Sequence, residues 1–130
     1  MPHITLDYSA NMEARTDIAA LCRHLRQAAA ETGVFPLAGL RVRAFAASHV
    51  SIADGEEQHG YIDISIRLRA GRDLSTRKRA AQMVFDAAQA FLAPAMQQHS
   101  IALSLEMRDI DPELSPKCGT IRDHMQKADQ

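Results

Sequence analysis

The hydrophobic period of this chain switches between two and about three and a half, twice over, and that alternation restricts its fold more than any other feature. In residues 3–8, Ile4, Leu6 and Tyr8 fall on one side and His3, Thr5 and Asp7 on the other, the pattern of a half-buried strand. Residues 14–32 then place Ile18, Leu21, Cys22, Leu25, Ala28 and Ala29 at three- and four-residue steps, which predicts an amphipathic helix stopped by Gly33. After the connection VFPLAG a second strand is expected from Leu40. Leu40, Val42 and Ala44 face one way along it, and Arg41, Arg43 and Phe45 the other.

The cycle repeats after the polar stretch ADGEEQHG at 53–60, which carries an Asp54–Gly55 turn signal. Residues 61–69 alternate most cleanly, Ile62, Ile64, Ile66 and Leu68 opposing Tyr61, Asp63, Ser65, Arg67 and Arg69. Asp73 or Ser75 can cap a second helix whose apolar stripe is Ala80, Val84, Ala87, Ala88, Phe91 and Leu92. Pro94 either kinks that helix or begins a short continuation. A fourth strand follows at 101–108, with Ile101, Leu103, Leu105 and Met107 inward.

The order strand, helix, strand, strand, helix, strand divides into two βαβ halves, about 3–47 and 61–108. It predicts an α+β fold: a four-stranded mixed sheet with both helices on one face, forming a domain over residues 1–110. The opposite face, bearing Tyr61, Asp63, Ser65, Arg67 and Arg69, must then meet water or another subunit. The tail, 111–130, holds Pro112 and Pro116 and ends GTIRDHMQKADQ, where a short helix at a subunit contact is expected.

At 130 residues the chain can build one core but not two. A formal net charge of -1 gives no reason to expect nucleic acid or an anionic membrane as partner. No apolar run approaches the roughly 20 residues of a membrane span, and MPHITLDYS resembles no export signal. The expected compartment is the cytoplasm, with Cys22 and Cys118 reduced. Twelve of the fifteen basic residues are arginine, which a GC-rich genome explains as readily as function does. Single arginines therefore have to be argued by position.

Nucleophile-elbow, dinucleotide-binding, P-loop and HExxH motifs are all missing from the sequence. The six histidines have no spacing that sets two on one helix face, so no metal site and no cofactor are expected. Glu56 and Glu57 fall in a predicted turn and read as solvated. The remaining candidate is Pro2. Removing Met1 would leave a secondary amine at the head of the first strand, and burial beside cations would lower its basicity toward that of a base at neutral pH. Many chains begin Met-Pro, so this signal needs context.

That context is a set of short motifs. The start MPHITLDYS, the stretch GVFPLAGLR at 33–41, SIADG at 51–55 and AGRDL at 70–74 together resemble the 5-carboxymethyl-2-hydroxymuconate isomerase family of the tautomerase superfamily. The resemblance runs to about residue 110. It implies that Pro2 is the base that shuttles a proton, that Arg41 binds and polarises a substrate carboxylate and the adjacent oxygen, and that Arg72 clamps another carboxylate. It also implies a cofactor-independent reaction on a small carboxylated enol or keto acid, within homoprotocatechuate degradation, and a homotrimer. Arg41 independently faces away from the core side of its strand, and Arg72 precedes a helix N-terminus that favours anions. Phe35 can shape an apolar pocket around Pro2 or pack in the core, and Tyr61 can donate a hydrogen bond in the site or be an ordinary strand residue. Two other readings stay open: a diverged tautomerase for another enol acid, and a non-catalytic oligomeric ligand-binding module.

Overall fold

The computed structural model describes residues 1–126. Its elements are β1 (His3–Ser9), α1 (Ile18–Glu31), β2 (Arg41–Ala47), β3 (Gly60–Arg69), α2 (Leu74–Gln98) and β4 (Ile101–Ile110), with 3₁₀ turns at Ala10–Ala14, Leu37–Gly39 and Arg122–His124. The strands form one sheet in the order β2-β1-β3-β4. β1 is parallel to β2 and β3 to β4, while β1 and β3 run antiparallel down the middle. This is the four-stranded mixed sheet that the two βαβ halves predict.

One face of the sheet is sealed by both helices. Ile4 and Leu6 of β1 and Ile62, Ile64 and Ile66 of β3 are fully buried against Leu21 and Leu25 of α1 and Val84, Ala88 and Leu92 of α2. Burying each large aliphatic side chain contributes about 1.5–3 kcal/mol, so the two central strands and the two helix stripes carry the fold. The opposite face, with Asp63, Arg67 and Arg69 exposed, is covered by no element among the described residues.

Local chemistry sets the boundaries. Asp17 accepts a hydrogen bond from the Ala20 N–H at 3.0 Å and starts α1. The helix therefore begins at Ile18, later than the periodicity from residue 14 predicts, because 10–14 is taken up by a tighter 3₁₀ turn. Gly33, at φ +72, ends α1 in the left-handed conformation that a side chain resists. Asp73, not Ser75, caps α2 through the Thr76 N–H. Pro94 neither breaks nor restarts α2, which runs through it to Gln98. Pro94 and Ala90, whose carbonyl it leaves unpaired, both lie on the exposed side. Beyond β4 the described tail has one 3₁₀ turn at Arg122–His124; residues 127–130, part of the stretch expected to form a short helix, lie outside the described residues.

Candidate active site

Strand pairing brings the head of the chain to a rim of cations. His3 of β1 pairs with Arg41 on one side and with Arg67 on the other. The Arg41 N–H donates to the Pro2 carbonyl at 3.2 Å, continuing the β1–β2 ladder by one residue. Pro2 itself is buried, held under the Leu37–Gly39 turn. A Cβ added to Gly39 would stand 3.1 Å from Pro2 Cδ and 3.3 Å from Met1 Cα, so glycine permits this close approach.

Met1 precedes Pro2 here, making the proline nitrogen an amide and placing the free amine on Met1. Burial first, then the Lys117 ammonium and the Arg72 and Arg41 guanidinium groups, lower the basicity of that amine below its ordinary value. The Met1 thioether accepts from Arg41 Nη1 at 2.8 Å. Next to it, His3 is also made less basic, by burial and then by Arg67, Arg43 and Arg41. Arg43 Nη1 lies 3.2 Å from His3 Nδ1.

Two cavities flank Met1. One, of about 350 Å³, is lined by His3, Arg67, Arg69, Ile110 and Lys117 among others. The second, of about 370 Å³, is lined by Pro36, Gly39, Arg41, Arg69, Lys117 and Arg122 among others. Among the described residues no Asp or Glu lines either one. A site so rich in positive charge suits an anion, above all a carboxylate that can accept two parallel hydrogen bonds from a guanidinium.

The five residues singled out in the sequence separate on inspection. Pro2 and Arg41 stand side by side. Arg72 is close enough to act on the terminal amine, but it is also structural: its Nη2 donates to the Val34 carbonyl at 2.8 Å and its Nη1 to the Arg69 carbonyl at 3.1 Å. Phe35 is a core residue, 6% exposed, and lines neither cavity. Tyr61 is not brought to the terminus at all. Its N–H donates to Ser9 Oγ and its hydroxyl to Asp7, at the far end of β1, about 20 Å from Pro2 at ~3.3 Å per residue. The antiparallel β1–β3 register forces this, since the start of β3 meets the end of β1. The cavity walls also include Lys117 and Arg69, which the sequence does not single out. Arg69 was legible as a polar-face residue of β3, but Lys117 sits in a tail without periodicity. No group of three or more His, Cys, Asp and Glu side chains is gathered as for a metal among the described residues.

Known proteins share both the sequence pattern and the fold of this chain. The family model of 5-carboxymethyl-2-hydroxymuconate isomerase matches residues 2–125, well past residue 110, where the short-motif resemblance stops. A 5-carboxymethyl-2-hydroxymuconate Delta-isomerase of Escherichia coli is 32% identical over 117 residues, covering 90% of this chain and 93% of that protein. A crystal structure of a 5-carboxymethyl-2-hydroxymuconate delta-isomerase superposes with a TM-score of 0.90 at 32% identity, over 98% of this chain and 94% of the other. The 5-carboxymethyl-2-hydroxymuconate isomerase from Deinococcus radiodurans R1 gives a TM-score of 0.87 at 26% identity, over 97% and 95%.

Proposed function

The chain belongs to the 5-carboxymethyl-2-hydroxymuconate isomerase family, and on that premise we propose that it converts 5-carboxymethyl-2-hydroxymuconate to its 2-oxo-3-ene isomer with Pro2 as the proton carrier. One observation carries the reading. The amine at the head of the chain sits in a partly buried, cation-rich rim that lowers its basicity. Once Met1 is removed, the Pro2 nitrogen becomes that amine, one residue deeper and next to Arg41.

The neutral Pro2 nitrogen takes the proton of the substrate's 2-hydroxyl. The O–H electron pair becomes the C2=O π bond, the C2=C3 π pair moves to C3=C4, and the C4=C5 pair takes a proton at C5 from the Pro2 ammonium. One proton leaves oxygen and one arrives at carbon, so the reaction is an isomerisation with no net redox change. Arg41 binds the C1 carboxylate and the adjacent oxygen, stabilising the charge that builds there. Arg72 holds a further carboxylate with the N–H groups left over from its two carbonyls, a guanidinium having five. The uncovered sheet face supports association with further copies of the chain; we take the assembly as a homotrimer, the pathway as homoprotocatechuate degradation and the compartment as the cytoplasm.

The test is an absorbance assay following loss of the conjugated dienol, comparing Met1-processed protein with Pro2→Ala. A general base contributes typically about 10²–10⁴-fold, so kcat should fall by at least that lower figure. A loss of less than about tenfold overturns the role of Pro2.

A further inference from the structure

We propose that Lys117, on the strap that follows β4, is a substrate-binding cation of this site and acts with Arg69 to select substrates bearing more than one carboxylate. This rests on the reading above that the site takes a carboxylated enol acid, and adds to it a residue, Lys117, that the reading does not contain.

Geometry comes first. Met1, Arg69 and Lys117 are the three residues that line both cavities, so they form the wall between them. When Met1 leaves, a large part of that wall goes with it. The two spaces of about 350 and 370 Å³ then open toward each other beside Pro2, with Arg69 and Lys117 at the junction. A substrate with its reacting end at Arg41 in one lobe extends naturally into the other, where His3, Arg67, Arg69 and Lys117 await its far end.

Charge makes the same point. The Lys117 ammonium lies near enough to the Met1 amine to lower its basicity, both being cations. Like charges so close repel, and the repulsion is relieved when an anion is bound between or beside them. Among the described residues no carboxylate does this. Among the described residues, Lys117, Arg69 and Arg67 enter none of the ion pairs, which are His59–Asp54, Arg77–Asp109 and Arg108–Glu106.

The strap is shaped to present Lys117. The Asp111 carboxylate accepts from the Glu113 N–H at 2.9 Å, and the Asp111 carbonyl from Ser115 Oγ at 2.6 Å, forming a compact turn just after β4. Pro112 inside that turn and Pro116 just after it restrict the backbone, and Pro112, Ser115 and Pro116 form part of the cavity wall. Lys117 is otherwise exposed and contributes nothing to the core.

The experiment uses full-length, Met1-processed protein and the variants Lys117→Ala and Lys117→Arg. Two readouts are taken. Binding of an inert tricarboxylate, propane-1,2,3-tricarboxylate, is measured by calorimetry. Turnover is compared between the tricarboxylate dienol and a monocarboxylate enol of an aryl pyruvate. Lys117→Ala should weaken tricarboxylate binding at least tenfold and raise KM for the dienol more than it lowers kcat. The kcat/KM preference for the dienol over the monocarboxylate should drop at least tenfold, with Lys117→Arg recovering most of it. Unchanged tricarboxylate affinity, or an equal fall for both substrates, overturns the proposal. If the wild type turns over neither substrate, the isomerase reading fails, while the calorimetry still decides whether Lys117 binds polycarboxylates.

Discussion

The Arg41 backbone N–H hydrogen-bonds the Pro2 carbonyl, so the proposed base and its neighbouring cation are fixed to each other through the main chain and not through the Arg41 side chain. The guanidinium is thereby left free for a ligand, its hydrogen bond being to the Met1 sulfur.

Arg41 and Arg72 should consequently respond differently to truncation. Arg41→Ala should reduce kcat/KM by about 10²–10³-fold, the effect of losing one donor to a developing oxyanion, while leaving stability within about 0.5 kcal/mol of wild type. Arg72→Ala should lose activity too, but it also strips the Val34 and Arg69 carbonyls of their charged donor. A stability loss of about 1–2 kcal/mol is expected, several degrees in Tm. Paired kinetics and thermal melts of the two variants check the contrast.

His3 gives the site a pH signature. Burial, then Arg67, Arg43 and Arg41, depress its basicity in the folded state relative to the unfolded chain, whose value is 6.5. As pH falls through 6.5 the unfolded chain takes up the proton first. The contribution of His3 to stability is therefore present above that pH and lost progressively below it, down to the folded-state value. Denaturant titrations from pH 8 to 5 should show this decline, and His3→Gln should flatten it.

Gly39→Ala should act on catalysis through packing. The new methyl would meet Pro2 Cδ at 3.1 Å, closer than carbon atoms settle, and either the Leu37–Gly39 turn or Pro2 must give way. We expect kcat to fall about tenfold or more, since misplacing a reacting group by even 1 Å can cost about 10²-fold. The helices and the core, which Gly39 does not touch, should keep their far-ultraviolet circular dichroism.

The uncovered sheet face predicts association. Sedimentation equilibrium should return about three times the 14.3 kDa of the chain. Charge reversal on that face, such as Asp63→Arg, should shift the mass toward the single chain; a monomer in the unaltered protein would contradict the homotrimer.

Particular residues show what the sequence could and could not convey. The Ile62–Leu68 alternation, the Gly33 stop and the Asp73 cap are local signals, each set by neighbours within a few positions, and each is legible without a structure. The place of Tyr61, left open by the sequence, depends on pairing register: the antiparallel β1–β3 pairing sets it beside Ser9. Phe35 lies next to the site in sequence yet turns into the core. Lys117 was invisible for a different reason. Its position comes from a turn around Asp111 and two prolines, which leave no hydrophobic period to read. Arg41 and Arg72 are picked out by short motifs, but the Val34 carbonyl that Arg72 supports is visible only with the 33–36 loop folded against it.

The central claim concerns the protonation state of one nitrogen, and ¹⁵N NMR titration of Met1-processed protein labelled at proline measures it directly. The Pro2 amine should titrate below the ordinary α-amino range of about 7.7–8.0, and bound propane-1,2,3-tricarboxylate should raise its midpoint by screening the surrounding cations. A midpoint well above that range, as for a proline amine in open water, would leave the nitrogen charged at neutral pH and contradict its role as the base.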